Sequence, residues 1–191
     1  MNVKKIALFA SGSGTNVQNI IEYFADNESI DVDSVWCNNP KAYVLERAAK
    51  GSIDAFIFNR EQFYNTNKIP NELKKRGIDL VVLAGFLWLI PETLVRHFTI
   101  INIHPALLPK YGGKGMYGMN VHKAVVENKD LESGISVHYV NDKYDEGEMI
   151  FQARCKVGPT DSPEVVAKKV HTLEYEHFPK VIESVVLKLS E

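Results

Sequence analysis

The chain has 191 residues, 45% of them apolar, enough to bury one sizeable core and few for two full domains. Its 22 basic and 24 acidic residues leave a formal charge of -2, which excludes the one-signed surface that nucleic acid or an anionic membrane would select. The longest apolar segment, LVVLAGFLWLIP at 80–91, is about half the roughly 20 residues of a spanning helix, so no membrane anchor is expected. In chain order, MNVKKIALFASGSGTN opens with two lysines and a five-residue apolar run that leads into glycines, which reads as a first strand of a cytoplasmic protein and not a secretion signal. Apolar runs then recur at Ile6 to Ala10, Val32 to Cys37, Ala55 to Phe58, Leu80 to Ala84 and Ile100 to His104. Helical spacing lies between them at Val17 to Phe24, Lys41 to Lys50, Pro70 to Arg76 and Pro91 to His97, two of these opening with a proline suited to a first turn. This alternation predicts βαβ units and a parallel sheet covered on both faces.

After residue 130 the pattern changes. SGISVHYV and EMIFQARCKV are strand-like and joined by NDKYDEG, too short for a crossover helix, so they read as an antiparallel hairpin. A final helix starts at DSPEVV, with Asp161 or Ser162 as cap and Pro163 at the first position, and Pro179 is expected to bend or split it. The fold class is therefore α/β, a single Rossmann-like domain over residues 1–191: a mostly parallel twisted sheet flanked by helices, a C-terminal antiparallel hairpin and a long last helix. Cys37 and Cys155 lie far apart with no CxxC or histidine cluster, and they read as buried free thiols, with no disulfide and no metal.

Three segments carry chemistry. ASGSGTN at 10–16 joins a strand to a helix, and Gly12 and Gly14 expose backbone N–H groups at the positive end of a helix dipole. A third glycine is replaced by Val17, which disfavours a pyrophosphate and leaves a single phosphate held by Gly14, Thr15 and Asn16, or an ordinary turn with Asn16 as cap. In INIHPALLP at 101–109, a period of two puts Asn102 and His104 on one face about 7 Å apart, at the carboxyl end of a strand where open α/β sheets bind ligands. An amide donor beside a proton-exchanging imidazole suits a developing oxyanion, whereas a lone histidine is more often structural. The glycine-rich loop after Pro109 folds over a ligand or is simply flexible. In the hairpin loop, Asp142 or Asp145 is placed to orient a histidine, or is only a solvated turn former.

SGSGTNVQNII, DLVVLAGF, INIHPALLPKYGG and GISVHYVNDKYDEG, in that order, closely resemble the folate-dependent formyltransferases, and among them the glycinamide ribonucleotide transformylases of purine synthesis. The likeness runs from about residue 4 to about residue 180. It implies transfer of the formyl group of 10-formyltetrahydrofolate to the amine of glycinamide ribonucleotide. Asn102, His104 and Asp145 then correspond to the family's catalytic set. Gly14, Thr15 and Asn16 would hold the ribonucleotide phosphate, with Pro105 and Glu174 near the same substrate. Arg60, Leu87, Trp88, Leu89, Ile90, Asn102, Val140, Asn141 and Asp142 would line the folate, with Gly85, Ile103 and His138 close by. The chain departs from the family pattern at Trp88, where relatives carry an arginine, and in a longer loop GGKGMYGMNVH before His122.

The implied chemistry needs no metal. A histidine held protonated by a carboxylate, with an asparagine beside it, would stabilise the oxyanion, and Asp145 would orient His104 and relay the amine proton. The expected partners are small molecules only, with neither nucleic acid nor membrane, and the chain is expected to be a monomer or homodimer. A formyltetrahydrofolate deformylase and a methionyl-tRNA formyltransferase share the core, but the first brings an N-terminal regulatory domain and the second a C-terminal RNA-binding domain and a basic surface. A catalytically silent nucleotide-binding module is the alternative from another class.

Overall fold

Residues 3–189 are described by a computed structural model. In the first strand, β1 (Lys4–Ala10), Ile6, Leu8 and Ala10 face one hydrophobic cluster while Ala7 and Phe9 face another, and all five are buried. A strand without polar alternation has been covered on both sides. Its neighbours are β2 (Ile30–Cys37), β3 (Asp54–Ile57), β4 (Leu80–Leu83), β5 (Thr99–His104), β6 (Glu132–Tyr139) and β7 (Met149–Lys156). They form one seven-stranded sheet in the order β3-β2-β1-β4-β5-β6-β7. The pairs from β3 to β5 are parallel, and β6 is antiparallel to both β5 and β7, as the short 141–147 connection requires. Cover on both faces fails most at the edge, where strand β3 leaves Asp54, Ala55 and Ile57 exposed.

The helices are α1 (Thr15–Phe24), α2 (Val44–Lys50), α3 (Arg60–Tyr64), α4 (Lys68–Arg76), α5 (Glu92–Val95), α6 (Met119–Glu127) and α7 (Pro163–Lys188). Several ends differ from those the sequence predicts. Helix α2 starts three residues later than Lys41, α4 starts two residues before Pro70, and Pro91 caps a single turn that ends before His97. The short α3 is anticipated by no apolar period; a capping box makes it, Asn59 accepting from Gln62 N–H and the Gln62 side chain from Asn59 N–H.

Ser162 caps α7 and Pro163 follows it, as expected, but Pro179 does not divide the helix. Proline lacks the N–H that would reach the carbonyl four residues back, and that carbonyl, on Tyr175, instead accepts from Asn19 Nδ2 of α1 at 3.1 Å. A neighbouring side chain thus supplies the donor that the proline removes. Cys37 is buried and Cys155 partly so, both as free thiols.

The chain moves outward from β1 through β2 to β3 and then resumes on the other side at β4 and β5. The order therefore reverses between β1 and β4, where an open α/β sheet leaves a crevice beyond its carboxyl ends. Ser11 N–H donates to Gly85 O (3.0 Å) and Leu87 N–H to Ser11 Oγ (3.1 Å), which ties the loops leaving these two strands together at that edge.

Candidate active site

The crevice holds a cavity of about 640 Å³. One wall is the glycine loop Gly12–Asn16, another Gly85–Ile90, the floor Asn102–Pro105, and the roof the loop Gly113–Met119 with Lys143–Asp145. The glycine loop lies where the sequence puts it, with its conformation set by close packing. Gly14 has φ +73°, and a Cβ on it would stand 2.6 Å from Val44 Cβ of α2, so only glycine fits. Asn16 is not the cap of α1. Gly14 occupies the cap position without a side-chain bond, which leaves the first-turn N–H groups open towards the cavity. Asn16 Nδ2 instead donates to Glu174 Oε2 at 3.0 Å.

Glu174 is only 4% exposed and is shared: His171 Nδ1 lies 2.7 Å from the same oxygen. That hydrogen bond raises the His171 pKa above the ordinary histidine value, against the effect of burial. The result is an asparagine, a carboxylate and an imidazole inclined to be cationic, beside a loop of free amides. His171 is absent from the sequence reading, although its i,i+3 spacing to Glu174 on a helix places the two together.

At the floor, Asn102 and His104 both border the cavity, as the strand period implies. The β6–β7 loop brings Asp145 onto them. Its Oδ2 lies 3.5 Å from His104 Nδ1, and its Oδ1 lies 3.4 Å from Asn102 Nδ2 and 3.6 Å from His138 Nε2. His138 Nδ1 donates to the Tyr139 carbonyl at 2.8 Å, and its Nε2 lies 3.2 Å from Asn102 Nδ2. The Asn102 amide is thereby aimed between a ring and a carboxylate.

The electrostatics correct one expectation. Burial of the His104 ring pushes its pKa below the ordinary value, and the Asp145 charge and the Tyr111 carbonyl oppose this without overturning it. Burial thus works against the protonated His104 that the resemblance implies. Burial also works to raise the Asp145 carboxyl, but the contact with His138, the His104 ring and the Gly113 N–H together hold it below its usual range. Within the pair, burial disfavours charge on the imidazole, while the surroundings of the carboxylate favour its ionised form.

The remaining anticipated residues divide by position. Gly85, Leu87, Trp88, Leu89, Ile90, Ile103, Pro105, His138 and Val140 line the cavity, whereas Arg60, Asn141 and Asp142 do not. The Arg60 guanidinium lies 4.9 Å over the Trp88 ring, so a cation stands behind that part of the wall. Asn141 braces its own loop, accepting from Lys143 N–H at 2.9 Å. Phe86, Met116, Tyr117, Met119, Lys143 and Tyr144 also line it, without any sequence signal of their own. The long loop after Pro109 thus roofs the cavity through Gly113–Met119. No group of three or more His, Cys, Asp or Glu side chains among the described residues is arranged to hold a metal ion, and no helix among them is long and apolar enough to cross a membrane.

Comparison with known proteins places these features in a family. The profile of the formyl transferase family matches residues 4–182. The chloroplastic phosphoribosylglycinamide formyltransferase of Arabidopsis thaliana is 40% identical over 187 residues, 94% of this chain and 64% of the plant protein. The phosphoribosylglycinamide formyltransferase of Haemophilus influenzae is 36% identical over 94% of this chain and 86% of its own length. Among solved structures, glycinamide ribonucleotide transformylase 1 from Geobacillus kaustophilus superposes with a TM-score of 0.85 at 33% identity, covering 97% of this chain and all (100%) of that one. The chain spans less than two thirds of the plant relative and most of the bacterial ones.

Proposed function

The chain belongs to the formyl transferase family, and from that premise we propose that it transfers the formyl group of 10-formyltetrahydrofolate to the glycyl amine of glycinamide ribonucleotide, a step of purine synthesis. The observation that carries this reading is the joining, in one cavity, of an open amide cradle at Gly12–Asn16 to the Asn102, His104 and Asp145 cluster. A phosphate end and a reacting end are both provided. The first-turn amides of α1 hold the phosphate, while Glu174, steadied by Asn16 and His171, accepts from ribose hydroxyls. The apolar wall Phe86–Ile90 with Val140 suits a flat heterocycle, and the main chain of that wall offers it hydrogen bonds. This is where the folate co-substrate binds.

Attack of an amine on a formyl carbon makes the carbonyl oxygen negative and the amine positive, so the site must stabilise one charge and remove the other. Asn102 donates to the oxyanion. His104, neutral at rest, takes the proton that the amine sheds and returns it to the departing nitrogen. While it carries that proton, the ionised Asp145 at 3.5 Å stabilises it. The amine proton ends on the leaving group and no net charge is stored. Formyl transfer to water, as in a deformylase, has no use for a phosphate cradle. The test is a substrate pair: glycinamide ribonucleotide and the same riboside without phosphate. The riboside should show kcat/KM lower by about 10²-fold or more, since a charge-assisted hydrogen-bond set is lost. Equal values for the two would remove the phosphate site. We assign the activity to the cytoplasm, with small molecules as the only partners.

A further inference from the structure

His104 has two ring nitrogens, and which of them works is decided outside the ring. Nε2 lies 2.7 Å from the carbonyl oxygen of Tyr111, and since a carbonyl only accepts, Nε2 carries a hydrogen. Two residues on, Gly113 N–H donates to Asp145 Oδ2 at 2.9 Å. One turn of backbone therefore offers an acceptor to the imidazole and a donor to the carboxylate. The other ionisable groups around the ring, His138 from β6, His122 from α6 and Glu174 from α7, make no hydrogen bond to it among the described residues.

That turn is held under tension. Tyr111 has φ 56°, a left-handed backbone that costs a residue with a side chain on the order of 1 kcal/mol and persists only where its surroundings dictate it. Here the dictating contact comes from its own side chain: the hydroxyl donates to Asp130 Oδ2 at 2.8 Å, beyond the end of α6, and Lys110 Nζ reaches Oδ1 of the same carboxylate at 3.2 Å. Asp130 anchors the turn, and the turn aims its carbonyl.

Building on the role proposed for His104, we infer that Tyr111 is a positioning residue: anchored on Asp130, it fixes the Nε2–H tautomer of His104 and leaves Nδ1, the nitrogen turned to Asp145, as the one that exchanges the amine proton. A carbonyl carries no side-chain signature, so the sequence gives no hint of it.

The test is nitrogen-15 NMR of the ligand-free protein with labelled histidine, above the pH where His104 titrates. The intact chain should show His104 wholly as the Nε2–H tautomer. In Tyr111→Phe, which keeps the ring and removes the anchor, both tautomers should appear, and kcat should fall about tenfold with KM for the ribonucleotide unchanged. Asp130→Asn should repeat that pattern, and melting curves of both variants show whether the fold is intact. An Nδ1–H tautomer in the intact chain, or an unchanged tautomer in both folded variants, overturns the inference. Because the tautomer is read without substrate, it stands or falls apart from the identity of the reaction.

Discussion

Asp145→Asn should lower kcat by about 10²–10³-fold and leave KM for both substrates within about twofold, the loss expected for one member of a proton-handling set. The amide is nearly isosteric, so the cavity keeps its shape, and the side-chain oxygen can still accept from Gly113 N–H. The negative charge is what goes. With His104 pushed towards neutrality by burial, the imidazolium that forms as the amine loses its proton depends on the carboxylate 3.5 Å from Nδ1. Stability should respond in a defined direction. The folded-state pKa of Asp145 is lowered, so the charge stabilises the fold above the unfolded value near ~3.9, and that contribution is lost as pH falls through the lower folded value. The melting difference between the intact chain and the variant should therefore shrink on acidification below that window. A kcat loss matched by an equal rise in KM would assign Asp145 to binding instead.

Gly14→Ala is the second large effect, and it acts on the other end of the cavity. A methyl group there meets Val44 Cβ at 2.6 Å, and the backbone it sits on, at φ +73°, is strained for any residue with a side chain. Either α2 or the loop must move, at about 2–4 kcal/mol for the overpacking and strain together. A shifted loop no longer presents the first-turn amides in register. KM for the ribonucleotide should rise by about tenfold or more while kcat at saturation changes much less, because the phosphate is remote from the reacting atoms. Gly77→Ala is the control, since Gly77 lies outside the cavity at a similar φ of +72° and a Cβ there meets nothing within 4 Å. If both substitutions raised KM equally, the special requirement at Gly14 would be refuted.

What the sequence disclosed follows from which physical signals are local. The central strands were legible because Ile6 to Ala10 and Leu80 to Ala84 are apolar without interruption, the mark of burial on both faces. Asn102 and His104 were legible because a period of two puts both on one face at the end of such a run. Asp145 lies 43 residues from Asn102 and needed the family resemblance, because nothing local separates it from Asp142. Helix ends were blurred where a partner outside the helix decides them. Pro179 was expected to bend or split α7, and it does not divide it because Asn19, 156 residues away, donates to the Tyr175 carbonyl. The downward shift of the His104 pKa was not legible for a similar reason: the charge partner is visible in a motif, but the burial that opposes it belongs to the assembled fold. The hold of Tyr111 on His104 was invisible because it runs through a main-chain oxygen that every residue has.

The most direct measurement follows a carbon-13-labelled formyl group on 10-formyltetrahydrofolate by NMR, with and without glycinamide ribonucleotide. With the amine present, the label should move onto the glycyl nitrogen as a formamide, at a rate that collapses in Asp145→Asn. Without it, the label should stay on the folate. Label released as formate in the absence of the amine, at a rate comparable to transfer, would contradict the account and mark the cavity as that of a hydrolase.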